Sequence, residues 1–224
     1  MSGPGALTDL SLAATDDRRK NGQVRPATPS WLMLLTAVAV IAALVIAGLL
    51  ARGTLAGDPD DRSVEAGFAR DMAIHHAQAV ELATLVQGLT DDPMILGLAV
   101  DIALTQQHQV GQMFGWLDVW ELSPTGSEPP MAWMDHRLAE GERMPGLASR
   151  EEITILKTLS DAAAEREFLR LMIAHHEGGV PMAEAAAERS DEAVVQDMAR
   201  GIVASQLVEM ETMRRLLAER GGAA

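Results

Sequence analysis

Apolar residues recur at alternating spacings of four and three along residues 68–86, which is the buried stripe of an amphipathic helix. This first stripe consists of Phe68, Met72, His75, Ala79, Leu82 and Val86. The residues TDDP at 90–93 read as a turn with a new N-cap, and a second helix is expected from about Met94 to Trp120. Its stripe contains Ile95, Ile102, Gln106, Met113 and Leu117. The pattern predicts an αα-hairpin.

The same pattern returns one hundred residues later. Segments 68–83 and 168–183 are identical at seven of sixteen positions, and the match continues without a gap to Leu117 and Leu217. Helices are therefore expected near 161–188 and 191–219. Because each hairpin exposes an apolar face, the two should bury those faces together. We predict an all-α, ferritin-like four-helix bundle built from two duplicated αα-hairpins, with a pseudo-two-fold axis.

Two segments depart from the helical pattern. The crossover at 122–149 contains several prolines and methionines, and it is longer than an ordinary helix connection, which favours a functional role. It should end in a short helix, because Ser149 and Glu152 have the spacing of a capping box. Within the second hairpin, Gly178, Gly179 and Pro181 interrupt the stripe, and we expect a kink or bulge just after the second histidine pair.

An apolar run precedes the bundle and predicts one transmembrane helix. No charged residue occurs from 26 to 51, and about 20 such residues match the ~30 Å hydrocarbon core of a bilayer. Four basic residues lie before the run and only Arg52 directly follows it, which places the N-terminus in the cytoplasm. A cleaved signal peptide is the alternative, with TLAG at 54–57 as the cleavage site. The run exceeds the ~7–15 residues of a signal core, which favours an uncleaved anchor.

The predicted organisation is therefore a disordered cytoplasmic tail at 1–30, an anchor in the lipid bilayer at 31–51, a linker at 52–60 and the bundle at 61–220. The expected location is the cell membrane, with a single span and an extracytoplasmic C-terminal domain. The formal charge of −14 argues against nucleic-acid binding, which needs a basic face. The absence of cysteine from the sequence excludes disulfides, thiolate catalysis and cysteine-based metal sites.

Four of the six histidines form two adjacent pairs at matching places in the repeat, His75–His76 and His175–His176. On a helical wheel the first member of each pair lies at the centre of the stripe and the second at its edge, about 100° further round. The duplication can bring the two central histidines towards each other. One interpretation is structural, with each buried imidazole hydrogen-bonded to Gln106, Gln206 or a carbonyl group.

The other interpretation is a metal site. Met72 and Met172 lie three residues before the central histidines on the same helix face. Imidazole with thioether is a soft to borderline donor set that favours Cu(I), and Cu(II) through the nitrogens. The predicted ligands of a copper ion are therefore His75, His76, His175, His176, Met72 and Met172.

The crossover offers a second, weaker set of candidate ligands. A loop has no core to fill, so its methionines are candidates for metal contact; the set is Met131, Met134, His136 and Met144. His108 points away from its stripe and is expected to be solvated. An iron carboxylate oxidase would need Glu-x-x-His pairs, but methionine occupies the position three before each central histidine. No catalytic constellation is found, so we do not predict an enzyme.

The elements F-x-x-x-M-x-x-H-H, MPG and FLRLMIAHHEGGVPMA resemble the bacterial family DUF305, a domain of unknown function, over about 61–218. The resemblance implies an exported or membrane-anchored, ferritin-like helical bundle, and some members are associated with copper binding and copper tolerance. It implies metal roles for the two histidine pairs, Met72, Met172 and Met144. The chain differs in having Leu147 where a second methionine is common, and in the Gly178–Gly179 and Pro181 positions. The resemblance carries over no catalytic activity.

The sequence supports two competing hypotheses about function. The leading hypothesis is an anchored extracytoplasmic bundle that binds copper and buffers it, delivers it or confers tolerance at the cell envelope. The competing hypothesis is a structural or interaction bundle that docks to another membrane complex, with histidines that only hold the core. A homo-oligomer or an envelope protein is the expected macromolecular partner.

Overall fold

The computed structural model describes residues 30–55 and 57–222, which contain α-helices and one 3-10 turn but no β-strand. The helices are α1 (Ser30–Leu55), α2 (Val64–Val86), α3 (Pro93–Val119), α4 (Arg150–Lys157), α5 (Asp161–Arg189) and α6 (Ala193–Glu219), with the 3-10 turn at Ala132–Met134. The all-α prediction is confirmed for these residues. The expected tail at 1–30 lies, apart from Ser30, outside them.

The chain divides into two units after Gly57. The first contains α1, whose described apolar side chains, such as Val38 and Leu44, are more than half exposed. Across residues 30–55 and 57–222, no helix is both long enough and apolar enough to cross a membrane. The anchor at 31–51, the linker at 52–60 and the membrane orientation stay predictions from the sequence.

The second unit contains the duplicated hairpins. N-terminal capping residues fix the first residues of α2, α3 and α4. Ser63 caps α2 by accepting a hydrogen bond from the Ala66 amide, at 3.1 Å. Asp92 caps α3 in the same way, with Pro93 at the first helical position. At α4 the side chains of Ser149 and Glu152 each accept a hydrogen bond from the other's backbone, which is the predicted capping box.

The four long helices of this unit enclose two apolar clusters separated by a polar layer. The Met72 cluster contains Phe68 and Met72 of α2, Met113 and Leu117 of α3, Met182 and Ala186 of α5, and Val195 and Ile202 of α6. The Met172 cluster contains Leu82 and Val86 of α2, Ile95 and Ile102 of α3, Phe168 and Met172 of α5, and Met213 and Leu217 of α6. Each helix passes from one cluster to the other, and α2 runs opposite to α5.

Between the clusters, each helix contributes polar side chains at its midpoint. These are the two histidine pairs, from α2 and α5, together with Gln106 of α3 and Gln206 of α6, all at most 3% exposed. We call these six residues the histidine layer. Because polar groups are costly to bury without partners, the question for this layer is which groups its nitrogens and oxygens contact.

A reciprocal contact joins the two halves at the bundle ends. Glu65 of α2 accepts hydrogen bonds from the Ser190 hydroxyl and the Asp191 amide in the turn of the second hairpin, at 2.7 and 2.8 Å. Its counterpart Glu165 of α5 accepts from the Thr90 hydroxyl in the turn of the first hairpin, at 2.6 Å. Each half therefore fixes the turn of the other through a buried carboxylate.

No bulge interrupts the helix after the second histidine pair, and the expected kink stays a prediction. α5 is α-helical without a break from Asp161 to Arg189, with Pro181 inside the helix. The glycines that suggested an interruption instead admit other groups close to the helix. A Cβ atom on Gly178 would lie 2.1 Å from the Pro145 carbonyl oxygen, so this position accommodates the crossover.

Candidate metal centre

The four imidazoles of the histidine layer are completely enclosed. His75, His76, His175 and His176 each have 0% exposure, so the histidines expected at the edge of each stripe are buried as completely as those at its centre. The rings of His75 and His175 approach to 3.8 Å between centroids at an interplanar angle of 40°. The duplication therefore brings the central histidines together across the core, as the repeat predicts.

A small residue makes room for this approach. A Cβ atom on Gly179 would lie 3.0 Å from both Cε1 of His75 and Oε1 of Gln206. Alanine occupies the equivalent position on α2, where it is fully buried. The second hairpin therefore has glycine instead of alanine at the point where the His75 ring packs against α5.

Hydrogen bonds fix the tautomer of three of the four imidazoles. Nε2 of His75 contacts the Pro145 carbonyl oxygen at 3.1 Å, and Nε2 of His175 contacts the His75 carbonyl oxygen at 2.8 Å. Nε2 of His176 contacts a carboxylate oxygen of Glu209 at 2.6 Å. Because carbonyl and carboxylate oxygens only accept, each of these Nε2 atoms carries the proton in a neutral ring. Nδ1 then retains its lone pair.

Those three Nδ1 atoms are buried and have no hydrogen-bond partner among the described residues. Neither nitrogen of His76 has a partner of regular geometry there; burial lowers the pKa of His76, and the neighbouring Gln109 side chain partly offsets this effect. Buried polar atoms in native proteins are satisfied in the large majority of cases, so this many unpaired nitrogens in one layer calls for an explanation. A ring that donates Nε2–H to an oxygen and keeps Nδ1 free has the arrangement of a metal-binding histidine.

Burial keeps the imidazoles of His75, His76 and His175 neutral by lowering the pKa of each. It lowers the pKa of His75 from 6.5 to about 4, which the Pro145 carbonyl partly offsets. Burial and then the neighbouring His75 lower the pKa of His76 to about 3, and the pKa of His175 also falls well below its usual value for the same reason. Since a metal binds the neutral form, protons do not compete for these nitrogens near pH 7.

The two predicted methionine ligands lie on opposite sides of the layer. Met72 and Met172 are both fully buried, but Met72 belongs to one apolar cluster and Met172 to the other. Within residues 30–55 and 57–222, no three or more histidine, aspartate or glutamate side chains are grouped as a metal site. The side chains of the histidine layer are imidazoles, with thioethers in the adjoining clusters, and such a donor set suits a soft or borderline metal by its chemistry.

The crossover is held against the layer by contacts from both halves. Gln78 of α2 donates to the Ala148 carbonyl at 3.0 Å and accepts from the Ala148 amide at 2.6 Å. Its counterpart on α5 is Gly178, against which Pro145 packs directly. Gly146 adopts a positive φ of 81°, and a Cβ there would lie 2.5 Å from a carbonyl oxygen of α5. These contacts position the Pro145 carbonyl group so that its oxygen can accept the hydrogen bond from Nε2 of His75.

The argument that the crossover methionines have no core to fill is wrong. Met131 is 1% exposed and Met144 is 6% exposed, and both belong to the Met72 cluster, against which Met134 also packs. The crossover folds back onto the bundle, where the Met131 amide donates to Asp71 at 2.7 Å. His136 is exposed, so the structure does not gather these four candidates into one cluster.

Three further side chains complete the comparison with the sequence: His108, Gln106 and Glu209. His108 is exposed, as predicted. Of the partners that the structural interpretation offered, carbonyl oxygens pair with His75 and His175, whereas both polar atoms of the Gln106 amide are unpaired within the described chain. Glu209 was not identified from the sequence as part of the site. Alignment of the two halves could have found it, because it aligns with Gln109 and so marks a charge difference beside the second histidine pair.

Comparisons with known proteins agree with this architecture. The model of the family "Domain of unknown function (DUF305)" matches residues 65–217. A DUF305 protein from Streptomyces coelicolor is 48% identical, with 73% of this chain and 97% of that chain covered and a TM-score of 0.68. A DUF305 fragment from Deinococcus radiodurans is 36% identical, with 70% and 96% covered and a TM-score of 0.60.

A more distant solved structure shares the fold alone. CopM in its Cu(II)-bound form is 23% identical, with 70% of this chain and 97% of that chain covered and a TM-score of 0.55. No curated protein sequence matches the chain. The family match spans more than half of the chain and includes both histidine pairs, so this protein belongs to the DUF305 family.

Proposed function

We propose that the helical unit from residue 58 onwards binds copper through the histidine layer. The observation that carries this proposal is the set of buried Nδ1 lone pairs on His75, His175 and His176, whose Nε2 protons are each donated to an oxygen acceptor. Such outer contacts orient an imidazole and raise its basicity as a ligand. The thioethers of Met72 and Met172, one helical turn away on the same helices, are the proposed additional donors.

The choice of copper rests on donor chemistry. Neutral imidazole and thioether select Cu(I), while imidazole alone also supports Cu(II). The copper-bound state of CopM is consistent with this choice, although at its level of identity the likeness is one of fold. When bound, the metal would supply a buried positive charge, which the chain would stabilise through its imidazoles. We propose a role in buffering, delivery or tolerance, and no catalytic activity.

A competition experiment tests the proposal. The purified full-length chain is titrated with Cu(I) in the presence of a chromophoric chelator, and with Cu(II) in parallel. We expect the protein to remove Cu(I) from the chelator, and a His108→Ala control, altered at an exposed histidine, to do so equally well. If neither copper ion is taken up, the proposal is refuted.

The alternative is an interaction bundle whose histidines only hold the core. It is favoured by one observation: the His75 and His175 hydrogen bonds tie the crossover to α2 and α2 to α5, which is a structural role in itself. Under this alternative the protein is metal-free as purified, and copper leaves its thermal unfolding unchanged. Stabilisation by copper would favour the metal-binding function, because a ligand that binds the folded state raises its stability.

The cellular location is proposed from the sequence. The uncharged residues 31–51, preceded by basic residues, favour a membrane anchor with the bundle outside the cytoplasm. A reporter that is active only outside the cytoplasm, fused after Ala224, should be active. Activity of a cytoplasm-specific reporter at the same place would overturn both the orientation and the role at the envelope.

A further inference from the structure

We infer that Glu209 positions the His176 imidazole for metal coordination through Nδ1, and that the two halves of the duplicated site are therefore unequal. The inference rests on the proposed copper-binding function and adds to it a residue outside the predicted ligand set. It starts from a difference between the halves. Position 209 is glutamate, whereas the aligned position 109 is glutamine.

The contact between Glu209 and His176 is short and mostly sheltered. Nε2 of His176 lies 2.6 Å from Oε2 of Glu209, and the side chains are 0% and 23% exposed, respectively. A carboxylate can only accept, so it selects the Nε2–H tautomer and directs the Nδ1 lone pair away from itself. An amide can donate as well as accept, so Gln109 does not impose one tautomer on His76. The second hairpin therefore presents a pre-oriented nitrogen where the first does not.

Charge gives Glu209 a second effect on a bound cation. A metal ion among neutral imidazoles carries its positive charge into a region of low dielectric, where an unpaired charge is costly. Among hydrogen bonds to the four imidazoles in the described part of the chain, the other acceptors are backbone carbonyls of Pro145 and His75. The formal negative charge of Glu209 is thus separated from Nδ1 of His176 only by the imidazole ring itself. The Glu209 side chain is partly exposed to solvent.

Two variants with a matched control test this inference in the full-length chain. Glu209→Gln gives the second half the residue of the first, and Gln109→Glu makes the reciprocal change. Glu211→Gln removes the same charge from an exposed position on the same helix. The tautomer of each histidine is read in the metal-free protein from long-range proton–nitrogen correlation spectra with ¹⁵N-labelled histidine. Cu(I) affinity is measured by competition with a chelator.

We expect Glu209→Gln to shift the His176 nitrogen resonances towards a tautomer mixture and to weaken Cu(I) binding about 10–100-fold, the usual effect of losing such an outer contact. Gln109→Glu should fix His76 in the Nε2–H form, and Glu211→Gln should change neither measurement. Unchanged His176 resonances in Glu209→Gln would overturn the inference whether or not copper binds. An equal loss of affinity in Glu211→Gln would also overturn it, because the effect would then be general charge.

The two readouts separate this inference from the proposed function. If the His176 tautomer changes as expected but no protein, including the wild type, competes for Cu(I), the copper-binding function is refuted and the metal role of Glu209 falls with it. If the wild type binds Cu(I) and Glu209→Gln binds it equally tightly, the function stands and the inference is refuted.

Discussion

Gly178→Ala should destabilise the protein although alanine is the better helix former. A Cβ atom at this position would lie 2.1 Å from the Pro145 oxygen, 2.3 Å from its carbonyl carbon and 2.6 Å from the Gly146 nitrogen. All three are backbone atoms of the crossover, so no side-chain rotation relieves the contact. Ordinary contact distances begin at 3.4 Å, so the crossover must retreat by more than about 1 Å. The 3.1 Å contact between Pro145 and His75 is then expected to break.

The magnitude follows from three contributions. Overpacking of a tight interface typically costs about 1–3 kcal/mol. Leaving Nε2 of His75 buried without a partner adds about 1–3 kcal/mol. The gain from replacing glycine by alanine within a helix is about 1 kcal/mol and opposes both. We therefore expect a net loss of roughly 1–5 kcal/mol in the free energy of unfolding. The variant is destabilised because the clash with the crossover outweighs the gain in helix propensity.

Urea unfolding of the metal-free protein, followed by circular dichroism, measures this loss. Gly201→Ala is the matched control, because this exposed glycine lies inside α6 and a Cβ there meets nothing within 4 Å. The control should be stabilised by up to about 1 kcal/mol. If Gly178→Ala proves as stable as Gly201→Ala, the crossover does not pack on α5 as described.

Replacing both Met72 and Met172 by leucine should cost less than about 1.5 kcal/mol each in stability and should weaken Cu(I) binding more than Cu(II) binding; unchanged Cu(I) affinity would make both residues core filler. Acidification should destabilise the metal-free protein, because His75 has a pKa of about 4 when folded and 6.5 when unfolded, so the unfolded chain takes up its proton first. Stability is then complete above pH 6.5 and falls towards pH 4, by about 2 kcal/mol from His75 at pH 5, and urea midpoints that do not differ between pH 7 and pH 5 would contradict this. Glu65→Ala should leave the Ser190 hydroxyl and the adjacent amide without their acceptor and cost about 1–3 kcal/mol in thermal or urea unfolding, whereas a near-zero effect would show that water replaces the carboxylate.

Much of the bundle could be predicted because the repeat and the helical period report the same buried faces. Every member of the first stripe, from Phe68 to Val86, is fully buried, and the second helix begins one residue from its predicted start at Met94. Periodicity also placed His75 in the core. Burial of His76 could not be predicted from the same wheel, because a close neighbouring helix covers the edge of the stripe as well as its centre.

The crossover could not be predicted because its structure depends on contacts distant in sequence. Met131 and Met144 lie in a segment without helical period, yet tertiary packing buries them in the Met72 cluster. Gly178 suggested a weak helix, since sequence reveals the missing side chain but not the chain segment that packs against it. Glu209 has no unusual local pattern. Its significance depends on a partner 33 residues away along the chain.

Copper affinity of the paired histidine variants tests the central claim most directly. His75→Gln, His175→Gln and the double variant are compared with the wild type by Cu(I) competition, with circular dichroism confirming the fold of each. If both imidazoles bind one ion, each single change weakens binding strongly, and the double change costs much less than the sum of the two because the ligands act as a unit. Cu(I) affinity in the folded double variant equal to that of the wild type would contradict the assignment of the histidine layer as the copper site.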